Sequence, residues 1–364
     1  MPLLPDKSRK RCVMKIIQLI SSLAEGGAEN LVKDYVIELQ ARNQDVVVVT
    51  TDCRKNGKIY ELLKLHDIRI IQLSGNRIQL IKSWINFLNK YKPDVVHGHL
   101  KVGMFMLMCK HNTRLYYTVH SDVRRLINSW GKSFVWETKL LSKYKKMTIF
   151  SLHGNMSKDI NEYFGNNHAV FLENCADINY FRERRNVESY YQKLGIAKGS
   201  FVVGHIGRFV EAKNHKRLID IFEKILEVKE NAHLILIGVG ELMQQTIHYV
   251  EEKNMTECVH FLGQRRDIPE LLQFMDVFVM PSIHEGFPIT VIEAQAAGTY
   301  SVVSESTPEE AIRSNRIVRL SLENDDLVWR DAVIGMRENE SSKYKLDDCD
   351  LKNVVSKLLY YYQN

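Results

Sequence analysis

Twice along the chain, short runs of β-branched and apolar residues alternate with helix-sized amphipathic stretches, and that cadence restricts the fold more than any other feature. In the first half the strand candidates are 13–20, 45–50, 68–73, 94–98, 115–119 and 148–151. Between them lie stretches such as 28–42, where Leu31, Tyr35, Val36 and Leu39 share one helical face. Strand, helix, strand at this spacing predicts a parallel sheet covered by helices on both faces. The cadence stops after Asn174 and restarts with strand candidates 201–207, 234–238, 259–262, 277–280 and 301–303. The sequence therefore predicts an α/β protein of two Rossmann-like, doubly wound domains. Their bounds are 1–175 and 200–348, with a linker over 176–199 and a terminal helical segment over 349–364. Ligands of such sheets bind at the carboxyl ends of the strands, and two facing sheets enclose a cleft.

The densest chemical signal is Pro281-Ser-Ile-His-Glu285-Gly286-Phe287-Pro288-Ile289-Thr-Val-Ile-Glu293. Pro288 suits the first position of a helix, where its fixed φ fits and its missing N–H is not needed. Unbonded backbone N–H groups at that helix start form an anion site. Glu285 before it and Glu293 on its second turn can accept hydroxyls on either side of a diphosphate. A nucleotide sugar has that order of sugar, phosphates and ribose. Taken singly, an exposed glutamate is ordinarily just a surface residue.

A second segment supplies the positive charge. Gly204-His-Ile-Gly207-Arg208-Phe-Val-Glu-Ala-Lys213-Asn214 leaves a strand and enters a helix, with Asn214 a reasonable N-cap. An arginine fork beside a lysine point charge can neutralise a departing diphosphate without a metal. In the first half, Ala24-Glu-Gly26-Gly27-Ala28 opens the first helix with paired glycines that let a phosphate or sugar approach the backbone. Neither this loop nor Gly238-Val-Gly240 completes the dinucleotide fingerprint, so a dehydrogenase does not fit. His120 follows the fifth strand; such a histidine is ordinarily structural, yet it can also bond a sugar hydroxyl or steady charge. His97-Gly-His99 lacks the carboxylate or cysteine partners of a metal site and reads as cleft lining. Asp348-Cys-Asp350 has the spacing of a metal-binding pair but lies in a polar acidic stretch and reads as solvated surface.

Together these motifs resemble the retaining nucleotide-sugar glycosyltransferases of family 4, which have the GT-B fold. The resemblance covers nearly the whole chain and is closest to bacterial capsular and exopolysaccharide transferases. It implies transfer from a nucleotide diphosphate sugar, with uridine the favoured base, to a saccharide or lipid-linked saccharide acceptor. It further implies retained anomeric configuration and neither metal nor cofactor. By the same resemblance Arg208 and Lys213 hold the donor diphosphate, Glu285 the donor sugar and Glu293 the ribose. Gly286, Phe287, Pro288 and Ile289 belong to the donor-binding turn, and Arg266 to the loop that meets the base. Gly27 faces the phosphates, His120 lines the catalytic centre, and residues 351–362 form a helix crossing back to the first domain. The chain departs from the family at Asn174-Cys175-Ala176-Asp177 and at Ser306-Thr-Pro-Glu-Glu. A sugar-nucleotide epimerase of the same architecture and a silent nucleotide-sugar-binding subunit are the alternatives. A glycoside hydrolase would pair carboxylates but would not need Arg208 and Lys213.

Composition adds a location and a surface. Six scattered cysteines without a Cys-x-x-Cys pair imply free thiols in a reducing, cytoplasmic compartment. The opening residues are basic but have no apolar stretch ahead of them, so they do not read as a secretory signal. Residues 1–180 carry 27 lysines and arginines against 16 acidic residues, whereas 181–364 carry 23 against 28. The basic half has no nucleic-acid-binding motif, which leaves an anionic membrane surface or a phosphorylated acceptor. Segments 77–90, with Trp84, and 134–146, ending Lys143-Tyr-Lys145-Lys146, are amphipathic with flanking cations. They read either as interfacial helices at the inner membrane face or as helices packed on the sheet with exposed lysines.

Overall fold

In the computed structural model, which describes residues 13–24, 26–51, 57–165, 169–335 and 345–364, two all-parallel sheets account for every strand. The opening segment, Glu25, Cys12 and Cys53 lie outside those residues. The described residues up to Leu172, joined by Val355–Asn364, form one compact unit, and Glu173–Val354 form the second.

The first unit runs β1 (Lys15–Ile20), α1 (Gly27–Ala41), β2 (Asp45–Thr50), α2 (Lys58–Leu65), β3 (Arg69–Gln72), α3 (Arg77–Tyr91), β4 (Val95–His99) and α4 (Gly103–Leu107). It continues through β5 (Arg114–Thr118), α5 (Val123–Lys145), β6 (Thr148–Ser151), α6 (Gly154–Phe164) and β7 (Ala169–Phe171). Its seven strands lie in the order β3-β2-β1-β4-β5-β6-β7. The central strands are buried on both faces, which explains runs such as Asp45-Val-Val-Val-Val-Thr50 with no polar alternation. The face of α1 bearing Leu31, Tyr35, Val36 and Leu39 is fully buried, as its spacing predicts. At Gly131 the backbone of α5 breaks, with φ at 76°, a conformation that favours glycine.

The second unit holds α7 (Ile178–Arg182), α8 (Ser189–Leu194), β8 (Phe201–Ile206), α9 (His215–Leu226), β9 (Ala232–Ile237), α10 (Met243–Glu252) and β10 (Val259–Gly263). There follow α11 (Ile268–Phe274), β11 (Val277–Met280), α12 (Ile289–Ala297), β12 (Tyr300–Ser304), β13 (Ile317–Leu320) and α13 (Asp326–Ile334), and the described chain ends in α14 (Leu351–Gln363), which the two units share. The strand order of the second unit is β10-β9-β8-β11-β12-β13. The core gathers Leu218, Ile221, Phe222 and Ile225 of α9 against β8, β9 and Trp329. Each fully buried side chain of this size contributes about 1.5–3 kcal/mol.

Three sequence readings need adjustment. The edge strands β7 and β13 extend the sheets beyond the strand candidates; each is half-buried or exposed along its length, unlike the fully buried run of β11. The 176–199 segment carries the two short helices α7 and α8 and belongs to the second unit: Phe181 and Tyr190 are buried, and Arg185 pairs with Glu270 at 2.9 Å. Trp84 is fully buried, donating from Nε1 to the Phe105 carbonyl at 2.8 Å, so it is not part of an exposed apolar face. Helix α14 begins in the second unit, while its residues from Val355 onward belong to the first.

Candidate active site

Where a doubly wound sheet reverses its strand order, the loops on either side diverge and leave a crevice. In the second unit that point lies between β8 and β11. The loops leaving these two strands are 207–214 and 281–288, the two segments that carry the motif residues.

Backbone and amide contacts fasten the loops together. Asn214, in the left-handed region at φ 55°, donates from Nδ2 to the Pro281 carbonyl at 3.2 Å rather than capping α9 with its side chain. The Ile283 N–H donates to the Ala212 carbonyl at 2.8 Å. Ser304 and Ser306 donate their hydroxyls to the Ser282 carbonyl at 2.6 and 2.8 Å, and Asn174 Nδ2 donates to the Phe287 carbonyl at 3.0 Å. Asn174 and Ser306, each at the start of a segment that departs from the family pattern, thus serve as fasteners of the glutamate loop. Their role was not visible in the sequence, since it depends on which strands are neighbours.

So held, Lys213 Nζ donates to Glu285 Oε1 at 2.7 Å, with side chains 20% and 8% exposed. An ammonium has three donors. One is taken by Glu285, and two can serve phosphate oxygens. The carboxylate's remaining lone pairs can accept hydroxyl hydrogens. Arg208 is exposed on the same loop as Lys213. Pro288 is the residue before the helix, with ψ at 108°, so α12 starts at Ile289, one position later than the sequence predicts. No side chain caps it among the described residues; Val291 N–H donates to the Pro288 carbonyl at 3.2 Å, and the N–H groups of Ile289 and Thr290 can meet an anion. Phe287 and Pro288 are buried, so their contribution to a ligand site is backbone only; Gly286, Ile289 and Glu293 are half-buried. After β10, Arg265 is engaged with Asp267 by a double hydrogen bond, whereas Arg266 is exposed.

Gly238 and Gly240 have a packing role. A Cβ on Gly238, whose φ is 137°, would lie 2.0 Å from the Gly207 carbonyl oxygen, and one on Gly240 would lie 2.4 Å from that of Phe209. The loop after β9 therefore lies directly against the loop carrying Arg208, bonded through Phe209 N–H to the Val239 carbonyl at 3.1 Å.

In the first unit, Gly27 opens α1, is exposed, and has open space where a Cβ would stand. His120 is half-buried, and burial lowers its pKa to about 4, so it is neutral at pH 7. Its Nε2 lies 2.9 Å from His99 Nδ1. His97 and His99 are fully buried rather than lining an opening, and burial holds both well below the usual histidine range. They reach Gln18 and Tyr362, which the sequence reading missed. The signal for Gln18 was present: one amide in the apolar strand Lys15-Ile-Ile-Gln18-Leu-Ile20. Asp348 is exposed and Asp350 precedes α14, accepting from Lys352 N–H at 3.0 Å. No cluster of three or more potential metal ligands occurs among the described residues, nor any helix long and apolar enough to cross a membrane.

Known proteins share both the sequence pattern and the fold. The Glycosyltransferase Family 4 profile matches residues 25–151, and the Glycosyl transferases group 1 profile matches residues 186–343. The chain is 26% identical over 346 residues to EpsF of Bacillus subtilis, covering 90% of this chain and 88% of EpsF. It is 28% identical over 300 residues to an Escherichia coli UDP-Gal:α-D-GlcNAc-diphosphoundecaprenol α-1,3-galactosyltransferase, covering 76% of each. The crystal structure of Anabaena HepE in complex with UDP-glucose superposes with a TM-score of 0.76 at 18% identity, over 96% of this chain and 95% of HepE. With both halves matched and the paired parallel sheets in common, the chain belongs to glycosyltransferase family 4, whose members are retaining, metal-independent enzymes of the GT-B fold.

Proposed function

We propose that this glycosyltransferase moves a sugar from a UDP-sugar to a saccharide or lipid-linked saccharide acceptor, with retention, during assembly of a cell-surface polysaccharide at the cytoplasmic membrane face. The observation that carries the reading is the Lys213–Glu285 pair at the head of the uncapped helix α12. In this assignment Lys213, Arg208 and the first-turn N–H groups, with Gly286 and Ile289, take the diphosphate. Glu285 accepts from donor-sugar hydroxyls, Glu293 from the ribose, and the loop bearing Arg266 meets the base. In the first unit Gly27 offers open backbone, and neutral His120 a hydrogen bond to a sugar hydroxyl. The acceptor oxygen bonds the anomeric carbon on the face the diphosphate leaves. The carbon–oxygen bond to phosphate breaks, and the acceptor's hydroxyl proton departs with the diphosphate oxygen. Lys213 and Arg208 act where negative charge grows, which is where fixed cations accelerate the step most.

The relatives supply the chemical class. The Escherichia coli enzyme is named for a UDP-galactose donor and a diphosphoundecaprenol-linked acceptor, and HepE was crystallised with UDP-glucose. Membrane contact is assigned to α5, where Trp136 and Tyr144 are 61% and 60% exposed among Lys139, Lys143 and Lys146, all exposed. Lys145 is not in that set, because its Nζ donates to the Cys109 carbonyl at 2.7 Å.

Thermal-shift screening against a panel of nucleotide sugars tests the proposal. A true donor at 100 times its Kd stabilises the fold by about 2.7 kcal/mol, and the account expects UDP-sugars to do so. No shift with any nucleotide sugar would sink it. Product analysis separates transfer from epimerisation, which would convert the donor sugar without an acceptor.

A further inference from the structure

The first unit contains a buried polar thread that the transfer chemistry above does not use. Gln18 is fully buried in the middle of β1. Its Nε2 donates to the Tyr362 hydroxyl at 3.0 Å, and its Oε1 lies 2.8 Å from His99 Nε2. Beyond Tyr362, the hydroxyl lies 2.6 Å from His97 Nδ1, and His97 Nε2 lies 2.8 Å from Thr118 Oγ1. Beyond His99, Nδ1 meets His120 Nε2 at 2.9 Å. All but His120 are at most 1% exposed. Tyr362 reaches this place because α14 ends in the first unit, anchored there by the Tyr116 hydroxyl donating to the Tyr361 carbonyl.

The thread has one consistent polarity with the Gln18 amide so oriented. Burial keeps the imidazoles neutral, and a neutral imidazole has one donor nitrogen and one acceptor. Because Gln18 Oε1 can only accept, His99 Nε2 carries the hydrogen and His99 Nδ1 accepts. His120 Nε2 must then donate, which leaves His120 Nδ1 as an acceptor. In the other direction, Tyr362 takes a hydrogen from Gln18 and gives its own to His97 Nδ1, so His97 Nε2 donates to Thr118. Reversing any one link requires turning the Gln18 amide and all three imidazole hydrogens together, since each partner would otherwise face a like group.

We propose that Tyr362 is a positioning residue for His120: through Gln18 and His99 it ties the His120 tautomer to that of His97, and in the polarity set by the Gln18 amide as oriented here His120 is the Nε2–H tautomer, with Nδ1 an acceptor for a substrate hydroxyl. The tautomer is a property of the chain alone, whereas its use on a hydroxyl rests on the transferase reading.

Long-range ¹H–¹⁵N NMR of the imidazoles of the full-length protein tests it, because protonated and bare ring nitrogens differ widely in shift. His97, His99 and His120 should all show protonated Nε2 and bare Nδ1. In Tyr362→Phe the amide and His97 lose the hydroxyl that joins them, and His99 and His120 should populate both tautomers independently of His97. Gln18→Met, which removes the amide while Tyr362 stays, should have the same effect and guards against a folding defect peculiar to α14. Turnover in either variant should fall about three- to tenfold, the worth of one neutral hydrogen bond, with donor KM unchanged. Protonated Nδ1 on His120 in the wild-type protein, or unchanged tautomers in both variants, would overturn the proposal. The tautomer measurement needs no substrate, so a chain without transfer activity and a thread without coupling give different results.

Discussion

Lowering the pH from 7 to 5.5 should destabilise this protein far more than its surface charges would suggest. His97, His99 and His205 are fully buried and His215 is 4% exposed. Burial holds the first three well below the usual histidine range, and brings His215 and half-buried His120 to about 4. Among the described residues His215 has no hydrogen-bond partner for either ring nitrogen, and His205 has none for Nε2, so no protein acceptor compensates a charge there. The folded pKa values lie below the unfolded value of about 6.5. Their contribution to stability is therefore in full above 6.5 and is lost as the pH falls towards 4, because the unfolded chain binds the protons first. For one such histidine, linkage gives a loss of about 1 kcal/mol between pH 7 and 5.5, and for five together about 5 kcal/mol. That approaches the whole stability of an ordinary domain, about 5–15 kcal/mol. Urea unfolding at constant ionic strength across this range measures the loss. Calorimetry in buffers of different ionisation enthalpy should count about four to five protons taken up on unfolding at pH 5.5. Stability that moves by less than about 2 kcal/mol would show that these imidazoles are hydrated or already charged in the folded protein.

Arg208→Ala and Lys213→Ala should each weaken UDP binding by about 1.5–3 kcal/mol, the worth of a charge-assisted hydrogen bond, with little change in melting temperature for Arg208→Ala but a lowered one for Lys213→Ala, which leaves the nearly buried Glu285 carboxylate without its cation; unchanged calorimetric affinity in both would place these cations outside the donor site. Gly238→Ala should cost about 1–3 kcal/mol of stability, because φ is 137° and the new methyl would meet the Gly207 carbonyl; a wild-type denaturation midpoint would contradict the close approach of the two loops. The protein should sediment with anionic but not neutral vesicles, each nearby cation contributing about 1 kcal/mol. Salt should release it, as should joint replacement of Lys139, Lys143 and Lys146 by glutamate; failure to bind either kind of vesicle would refute the role of α5.

Much of this architecture was legible because parallel sheets buried on both faces write themselves as apolar runs. Val277–Met280 is one, buried throughout and bounded by polar turns. The motif residues were legible for a different reason: Arg208, Lys213, Glu285 and Glu293 cluster at predicted strand ends and a predicted helix start. Strand order was not legible, since pairing of β8 with β11 joins segments some 75 residues apart without a local signal. With the order unknown, the Lys213–Glu285 bond and the serine clasp on Ser282 could not be foreseen. Isolated polar residues were the other gap. His97-Gly-His99 reads as cleft lining and Gln18 and Tyr362 go unmarked, because only neighbouring β1, β4 and the end of α14 make them a single thread. Trp84 misled for a related reason: amphipathic spacing marks an apolar face but does not say whether protein or lipid covers it.

The central claim, that Glu285 beside Lys213 serves transfer from a nucleotide sugar, is tested most directly by turnover of wild-type protein and Glu285→Gln with the donor found by screening, in excess EDTA. The account predicts transfer by the wild type under chelation, and a retained anomeric configuration in the product. It predicts a variant that still folds and binds UDP but turns over slower by about 2–4 kcal/mol of barrier, the worth of one charged contact made in the transition state. Wild-type turnover in Glu285→Gln would remove the carboxylate from the mechanism, and activity lost in EDTA but restored by manganese or magnesium would contradict the charge-neutralising role given to Arg208 and Lys213.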